Sequence, residues 1–160
     1  MKRTFVKLCL FVFWGILIGT GCEKEEEPAV TELDFKKVKG LSLSGDTCFI
    51  PGSDAKDFDL VINSQEEFEK YFESKSDFIP QIDFSQYTLL AGSRRVNCIY
   101  PELIFEKVLL DEKSKSVQLL AQFEFDSGCY NALGTIYFHA LVPKLEQTYQ
   151  INFEIDVIGD

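Results

Sequence analysis

The stretch Tyr149-Gln-Ile-Asn-Phe-Glu-Ile-Asp-Val157 decides the fold class, because apolar and polar residues alternate along it without interruption. Successive side chains of a β-strand point to opposite faces, so this pattern predicts a strand with one face in a core and the other in solvent. Residues 117–125 alternate in the same way, except that Leu120 places an apolar residue among the polar ones. Residues 134–142 are rich in β-branched and aromatic residues, and Pro143 ends that run.

Two further segments, 87–92 and 102–110, have strand-like composition and are joined to these strands by short connections. The sequence therefore predicts an α+β fold, a mostly antiparallel, twisted β-sheet with one short helix packed on a face. The strands are expected to form a meander that either stays open or curls toward a barrel.

The helix is predicted over residues 65–73. Ser64 and Glu67 form a capping box, in which the serine hydroxyl and the glutamate carboxylate each accept a hydrogen bond from a free backbone N–H. Three aromatic residues behind the box share one helix face: Phe68, Tyr71 and Phe72. A strand at 58–62 is predicted just before the helix.

The N-terminus predicts an export signal. After a basic start, the apolar run from Leu8 to Ile18 is too short to span a bilayer as a helix, which needs about 20 residues. The run ends in Ile18-Gly-Thr-Gly-Cys22, which resembles a bacterial lipobox. In that pattern the signal is cut just before the cysteine, and the cysteine thiol is lipidated. An ordinary secretory signal cleaved near Gly21 is the alternative.

Cleavage there gives three regions: a lipoprotein signal peptide (1–21), an acidic tether (22–30) and a single globular β-rich domain (31–160). The signal holds three of the 16 Lys and Arg residues and none of the 26 Asp and Glu residues, so the remainder carries a net charge of −13. Such a charge repels phosphate backbones and anionic lipid head groups. Nucleic acid is therefore not an expected partner, and the membrane is expected to be reached through the lipid at Cys22.

The acidic run at 23–27 resembles the signal that sends lipoproteins of Bacteroidota to the outer surface of the outer membrane. An outer-membrane, surface-exposed lipoprotein is therefore expected, with a periplasm-facing anchor as the alternative. A solvated tether with no targeting role would have the same composition.

A hairpin register can be predicted for residues 102–126. With a four-residue loop at 112–115, the numbers of paired residues sum to 227. This register brings together apolar pairs on one side of the sheet, as a specified register requires: Ile104 with Phe123, Val108 with Leu119 and Leu110 with Val117. Glu106 opposite Ala121 is the exception.

The register also bears on the cysteines. Export makes a disulfide plausible, and after loss of Cys9 and lipidation of Cys22 three cysteines remain. Cys98 and Cys129 also sum to 227, so we predict that they meet across the open end of the hairpin and form a disulfide. Cys48 is then unpaired, unless it replaces one of these two partners.

No residue is predicted to be catalytic. His139 is the single histidine and has no nucleophile motif beside it, so a structural role in a strand is the favoured interpretation over pairing with Cys48. One histidine leaves no ligand set for zinc or iron, and no cofactor is expected. Two acidic groups have weaker alternatives. A calcium site could include Asp54, Asp57 and Asp59. Acid–base catalysis on a glycosidic bond could use a pair among Glu102, Glu106, Glu124 and Asp126.

Arg94 and Arg95 are unusual neighbours in so acidic a chain. They could hold a carboxylate or phosphate group of a partner. Pairing with the acidic residues of the chain itself is the favoured alternative.

Three segments in this order carry a resemblance: Leu60-Val-Ile-Asn-Ser-Gln-Glu-Glu-Phe-Glu-Lys-Tyr-Phe72, Ile82-Asp-Phe-Ser-Gln-Tyr-Thr-Leu-Leu-Ala-Gly92 and Leu141-Val-Pro-Lys144. They resemble small Bacteroidota lipoproteins of unknown function and, more distantly, the C-terminal domain family named for the protease complex subunit PrcB. Gly92, Arg94 and Tyr100 match that family's loop motif, although the Pro-Thr-Gly-Gly centre of the motif is absent here. The resemblance implies no enzymatic activity, only association with an exported protease in the namesake.

The expected function is that of a non-enzymatic, lipid-anchored cell-envelope protein that binds or assembles with another envelope or extracellular macromolecule, a protein or a glycan. Apolar residues on the polar side of the hairpin, Leu103, Phe105 and Leu120, are the expected contact patch. Partner contact through Arg94, Arg95 and Tyr100 is a second possibility. The alternatives are a carboxylate-based hydrolase of an extracellular polymer and an accessory subunit of a surface protease.

Overall fold

The strands assemble into two larger sheets in the computed structural model, which describes residues 30–39, 41, 48–49, 57–74, 79–97, 101–125 and 133–159. At 48–49 and 73–74 only the backbone is described. The elements in chain order are β1 (Val30–Leu33), β2 (Cys48–Phe49), β3 (Phe58–Ile62), α1 (Gln65–Tyr71), β4 (Glu73–Ser74), β5 (Tyr87–Val96), β6 (Glu102–Asp111), β7 (Ser116–Glu124), β8 (Gly134–Pro143) and β9 (Gln150–Ile158).

Sheet A has the strand order β1-β6-β7-β9. Its first three strands are antiparallel, whereas β9 runs parallel to β7. Ile151 of β9 lies beside Val117 of β7, and Val157 lies beside Phe123, so the apolar stripes of both strands share one face. The alternation that predicted β9 thus places its apolar residues toward the core.

Sheet B has the order β3-β5-β8 and is antiparallel throughout. Beyond β8 the chain adds one bridge, in which Lys36 and Leu141 exchange backbone hydrogen bonds of 2.9 Å in both directions. Residues 34–39 therefore cross from the edge of sheet A to the edge of sheet B. A third, two-stranded sheet pairs β2 with β4.

Two apolar clusters hold these layers together. The inter-sheet core draws buried residues from both sheets, including Leu119 and Phe123 of sheet A and Leu90 and Phe138 of sheet B. The second cluster lies between the other face of sheet B and α1, where Phe68 is fully buried. Sheet B is thus covered on both faces, which explains why six consecutive residues of β5, 88–93, are buried.

The start of α1 confirms the predicted capping signal. The Ser64 hydroxyl accepts a hydrogen bond of 3.1 Å from the Glu67 N–H, and the Glu67 carboxylate accepts one of 2.9 Å from the N–H of Asn63. The helix ends at Tyr71 rather than at residue 73, because Phe72 has the extended φ of −117° and the chain enters β4.

The predicted fold class is confirmed: the described chain is mostly β, with mainly antiparallel sheets and one short helix. Within the described ranges the strands form two larger sheets and one two-stranded sheet, and no closed barrel. The meander is limited, because among these strands only β6 and β7 are both consecutive and adjacent. Parallel pairing of β9 with β7 requires a long crossover that alternation alone does not reveal.

Candidate functional site

A β-bulge in β6 changes the surface of sheet A. From Phe105 to Asp111 the residues of β6 pair with β7 at the predicted sum of 227, but Ile104 is unpaired and Leu103 pairs with Phe123. The predicted pairing of Ile104 with Phe123 is therefore wrong. The extra residue turns outward instead, and Ile104 and Phe105 are 48% and 42% exposed.

The bulge also decides which apolar residues face solvent. Leu103 was expected on the polar side of the hairpin, but it lies opposite buried Phe123 and packs against the inter-sheet core. Phe105 and Leu120 are on the outward side, as predicted, because they lie opposite or beside polar Gln122 and Lys107. Sequence periodicity could not place Leu103, since one inserted residue reverses the facing of every residue beyond it.

We call the solvent side of sheet A the outer face. It follows from the pairing registers, because residues that lie opposite one another share a face. Its charged residues are mostly acidic, with one lysine among them: Glu32, Glu102, Lys107, Asp111, Glu124, Glu154 and Asp156. Its apolar residues form a stripe along the two central strands, at Phe105, Leu109 and Leu120, and Val30 and Ile158 lie on the two outer strands. The outer face thus combines exposed apolar area with negative charge.

Several outer-face side chains hold one another in place. Gln122 donates a hydrogen bond of 3.1 Å to the carboxylate of Asp156, and Gln118 donates to that of Glu154. The Lys107 ammonium lies 5.7 Å from the centre of the Phe105 ring. These hydrogen bonds orient the carboxylates of Glu154 and Asp156 along the sheet. Neither carboxylate forms an ion pair with a lysine or arginine of the described residues.

The opposite face of β6 carries a buried carboxylate. Glu106 has only 4% of its side chain exposed, and it forms an ion pair with Lys37, which is 41% exposed. Burial raises the pKa of Glu106, and the nearby Lys37 charge offsets part of that rise. The second oxygen, Oε1, is buried without a hydrogen-bond partner. The sequence signal for this site was the single mismatch in the predicted register, Glu106 opposite Ala121, and the pairing confirms it.

His139 lies beside this pair and has a structural environment. Its Nε2 atom accepts a hydrogen bond of 3.1 Å from the backbone N–H of Val38, and Lys37 donates to its carbonyl oxygen. Burial, with a contribution from the Lys37 charge, lowers the pKa of His139 to about 3. The imidazole is therefore neutral at physiological pH, and the nitrogen that could act as a base is already hydrogen-bonded.

Arg94 pairs with the chain's own acidic residue, as the favoured interpretation held. Its guanidinium lies 2.8 Å from the Asp59 carboxylate and donates to the carbonyl of Phe58 at 3.2 Å. It also lies 5.2 Å from the centre of the Phe138 ring. That ring needs Gly92 beneath it, because a Cβ at residue 92 would lie 2.5 Å from a Phe138 ring carbon.

Arg95 and Tyr100 remain open as contact residues. The side chain of Arg95 is exposed, while its backbone N–H donates a hydrogen bond of 2.7 Å to the Asp57 carboxylate. Tyr100 lies outside the described residues. The structure therefore does not bring the three predicted contact residues together in one described site.

The acidic groups singled out from the sequence are divided between faces. Glu102 and Glu124 lie directly opposite each other, and both are exposed on the outer face. Glu106 points to the other side of the sheet, and Asp54 and Asp126 lie outside the described residues. Within the described part of the chain, no group of three or more His, Cys, Asp or Glu residues is placed to hold a metal ion.

The cysteine predictions concern residues outside the described ranges. Cys22, Cys98 and Cys129 are not described, and Cys48 is described only through the backbone that pairs with Ser74. The bulge at Ile104 changes the sum of the paired numbers to 226 at Leu103 and Glu102, so the register from which this pairing was predicted does not continue unchanged to the start of β6. The disulfide stays a prediction. Mass mapping of a non-reduced digest tests it. A peptide pair that joins Cys98 to Cys129 would confirm the prediction, and a disulfide between Cys48 and either of them would contradict it.

Comparisons with protein-family models, curated proteins and solved structures found no match. The resemblance to Bacteroidota lipoproteins and to the PrcB-named family therefore remains an expectation from sequence. Among the described elements, no helix is long and apolar enough to cross a membrane.

Proposed function

We propose that this chain is a non-enzymatic, lipid-anchored protein of the cell envelope, whose outer face binds another envelope or extracellular macromolecule. The anchor is the lipid predicted at Cys22, and the site is the bulged part of β6. In this proposal the two packed sheets form a platform that presents the contact surface, and the acidic tether at 22–30 joins this platform to the lipid.

The exposure of Ile104 and Phe105 supports this proposal most strongly. Two large apolar side chains stand side by side in solvent, and the adjoining stripe continues through Leu120. A bulge re-aims side chains, and bulges recur where a sheet is used for contact or catalysis. Exposed apolar area framed by polar residues is typical of protein interaction sites.

The groups that could perform chemistry support binding rather than catalysis. His139 accepts a backbone hydrogen bond through Nε2, Arg94 is held by Asp59, and Glu106 is paired inside the sandwich. Each of these side chains has a structural partner. The exposed surface, by contrast, offers apolar contact and charge, which are the means of recognition.

Site-specific photo-cross-linking in cells tests the proposal. A photoreactive phenylalanine analogue replaces Phe105 in the full-length chain, and the same analogue replaces Glu66 as the control. Glu66 is also exposed, but it lies on α1, on the far side of sheet B. We expect a discrete adduct from position 105 and none of the same mass from position 66.

Identical adducts from the two positions, or none from position 105 in cells grown under varied conditions, would contradict the proposal. The analogue keeps the aromatic ring of Phe105, so a folding defect is not expected to hide the result. Circular dichroism of the purified variant provides the check on folding.

A further inference from the structure

No strand of the described residues lies beside β9 on the side away from β7, so the inter-sheet core is less well covered there. The core-facing residues of β7 are almost completely buried, with Val117 and Leu119 at 0% and Ala121 and Phe123 at 2% exposure. The residues beside them on β9 face the same core but are only half-buried, and they are Ile151, Phe153, Ile155 and Val157. An additional strand beside β9 would cover them.

The backbone of β9 is arranged to accept such a strand. Gln150 donates its N–H to Lys115 at 2.8 Å, and Ile158 accepts from the N–H of Phe125 at 3.1 Å, so the even-numbered residues turn their backbone groups toward β7. Alternate residues of a strand direct these groups to opposite edges. The N–H and carbonyl groups of the odd-numbered residues, 151 to 157, therefore face the free edge of sheet A.

This edge lacks three of the features that commonly protect an edge strand, and its protection against self-pairing is limited to the charges of Glu154 and Asp156. β9 has nine residues with no proline, no lysine and no bulge, and it ends the strand order of the described sheet. Prolines, lysines and bulges commonly protect the exposed edge strands of natural sheets from pairing with another chain. A long regular edge with unpaired backbone groups is the geometry that binds an extended peptide by strand addition.

The charges on β9 select the partner. Glu154 and Asp156 point to the outer face, so an added strand would place its own outer side chains directly beside two carboxylates. Opposite charges on neighbouring strands are favourable, and like charges are unfavourable. Pairing of β9 with a second copy in full overlap would set Glu154 against Glu154 in either direction, which disfavours self-association.

We propose that the free edge of β9 binds an extended segment of a partner protein in which apolar residues alternate with lysine or arginine. The apolar residues would complete the inter-sheet core, and the basic residues would pair with Glu154 and Asp156. This inference rests on the proposed binding function and names a surface and partner chemistry for it.

Synthetic peptides test the inference on the full-length chain in detergent. The probe is a fluorescent peptide as long as β9 in which valine alternates with lysine, and binding is followed by anisotropy. A second peptide has glutamate in place of lysine, and a third keeps lysine but is N-methylated at every second amide. We expect the lysine peptide to bind about tenfold more tightly than the glutamate peptide. N-methylation should weaken binding by more than about tenfold, because it removes backbone donors.

Two variants of β9 make the test specific. Ile155→Pro removes an outward N–H, whereas Ile155→Ala removes the same apolar side chain and keeps the N–H. We expect a larger loss of peptide binding for the proline variant. The double variant Glu154→Lys and Asp156→Lys should reverse the preference, so that the glutamate peptide binds better.

Equal binding of the methylated and unmethylated peptides would show attraction by net charge alone and would overturn strand addition, even if Ile155→Pro failed to fold. A wild-type dimer that Ile155→Pro dissociates would identify the occupant as a second copy and would also overturn the proposal. Cross-linking from Phe105 would stand after either result, so failure at the β9 edge is distinguishable from failure of the proposed function.

Discussion

Glu106 is a carboxylate within an apolar sandwich, and one of its oxygens has no hydrogen-bond partner. Removing a charge from water is costly, and attraction to a partner repays this only when the geometry is favourable. Lys37 supplies that attraction from a partly exposed position, and it also fastens residues 36–38 to the edge of β8 through the His139 carbonyl. The stability of the contact between residues 36–38, β6 and β8 therefore depends on a few polar atoms.

Replacing Lys37 by methionine should destabilise the fold strongly, because Glu106 would remain as an unpaired buried charge. We expect a loss of about 3 kcal/mol in the free energy of unfolding, at the low end for buried pairs because solvent reaches Lys37. Urea denaturation measures the change. The double variant Lys37→Met and Glu106→Leu should recover most of it. A double variant no more stable than the single one would contradict this account.

His139 should make the protein less stable as the pH falls. Its folded pKa of about 3 lies below the ordinary value of 6.5, so below pH 6.5 the unfolded chain binds a proton that the folded chain does not. Its stabilising contribution is complete above pH 6.5 and falls by about 1.4 kcal/mol per pH unit toward pH 3. Between pH 7 and pH 5 the loss is about 2 kcal/mol.

The test measures the free energy of unfolding between pH 7 and pH 5 for the wild type and for His139→Gln, and compares the two curves. Glu106 has a raised pKa and acts in the opposite direction, gaining stability as the pH falls, but it titrates in both proteins and cancels in the comparison. Parallel curves for the two proteins between pH 7 and pH 5 would show that His139 does not control this loss.

At the scale of elements, sequence motifs predict structure reliably when all the interacting residues lie in one short segment. The cap of α1 is made by Asn63, Ser64 and Glu67, and the hairpin loop between β6 and β7 is fixed by its own four residues. The loop contains Lys115 at a φ of +52°, a left-handed conformation that closes the turn. The bulge at Ile104, by contrast, depends on how β6 meets both of its neighbours.

Replacing Ser64 by alanine should reduce the free energy of unfolding by about 1 kcal/mol, because the N–H of Glu67 would lose its partner at the helix start. Thermal and urea denaturation measure this change. Ser114→Ala is the matched control, since Ser114 is exposed in the hairpin loop and caps no helix. We expect its effect to stay within about 0.5 kcal/mol. Equal effects of the two substitutions would show that the Ser64 hydroxyl does not stabilise the start of α1.

At the scale of the whole molecule, the proposal assigns membrane attachment to the predicted anchor and partner binding to the acidic domain. The chain from Cys22 onward carries −13, which disfavours contact with anionic lipid head groups, so the proposed function relies on acyl chains for attachment. The domain can then present the outer face and the β9 edge to partners while it stays at the membrane.

Replacing Cys22 by alanine should abolish the attachment. We expect an alkynyl fatty acid to label the wild type and Cys9→Ala but not Cys22→Ala, because Cys9 lies within the predicted signal peptide. The Cys22→Ala protein should leave the membrane fraction, with the circular dichroism of its β domain unchanged. Fatty-acid labelling of Cys22→Ala at the wild-type level would contradict the lipobox assignment.

Much of the local structure could be predicted from the sequence. Uninterrupted alternation predicted β9, the capping box predicted the start of α1, and the apolar stripes predicted the register of the hairpin as far as Phe105. These features are set by the side-chain period of a strand, by hydrogen bonds over three or four residues and by a short loop. They need no distant part of the chain.

The candidate sites were less predictable, because each depends on a neighbour that is distant in sequence. The mismatch of Glu106 with Ala121 was visible in the sequence, but its partner Lys37 is 69 residues away. Phe105 was predicted as a contact residue, whereas the bulge that exposes it beside Ile104 was not.

The sequence by itself identified β3 and β5 to β9 as strands and the apolar side of β7 and β9, because that information lies in the spacing of neighbouring residues. Only the tertiary structure decided that β9 lies parallel to β7 at the end of the described sheet A, with the backbone groups of its odd-numbered residues turned away from β7. Alternation is identical for a central and an edge strand. The difference depends on which distant strands pair, and that is settled by the packing of the two sheets around their common core.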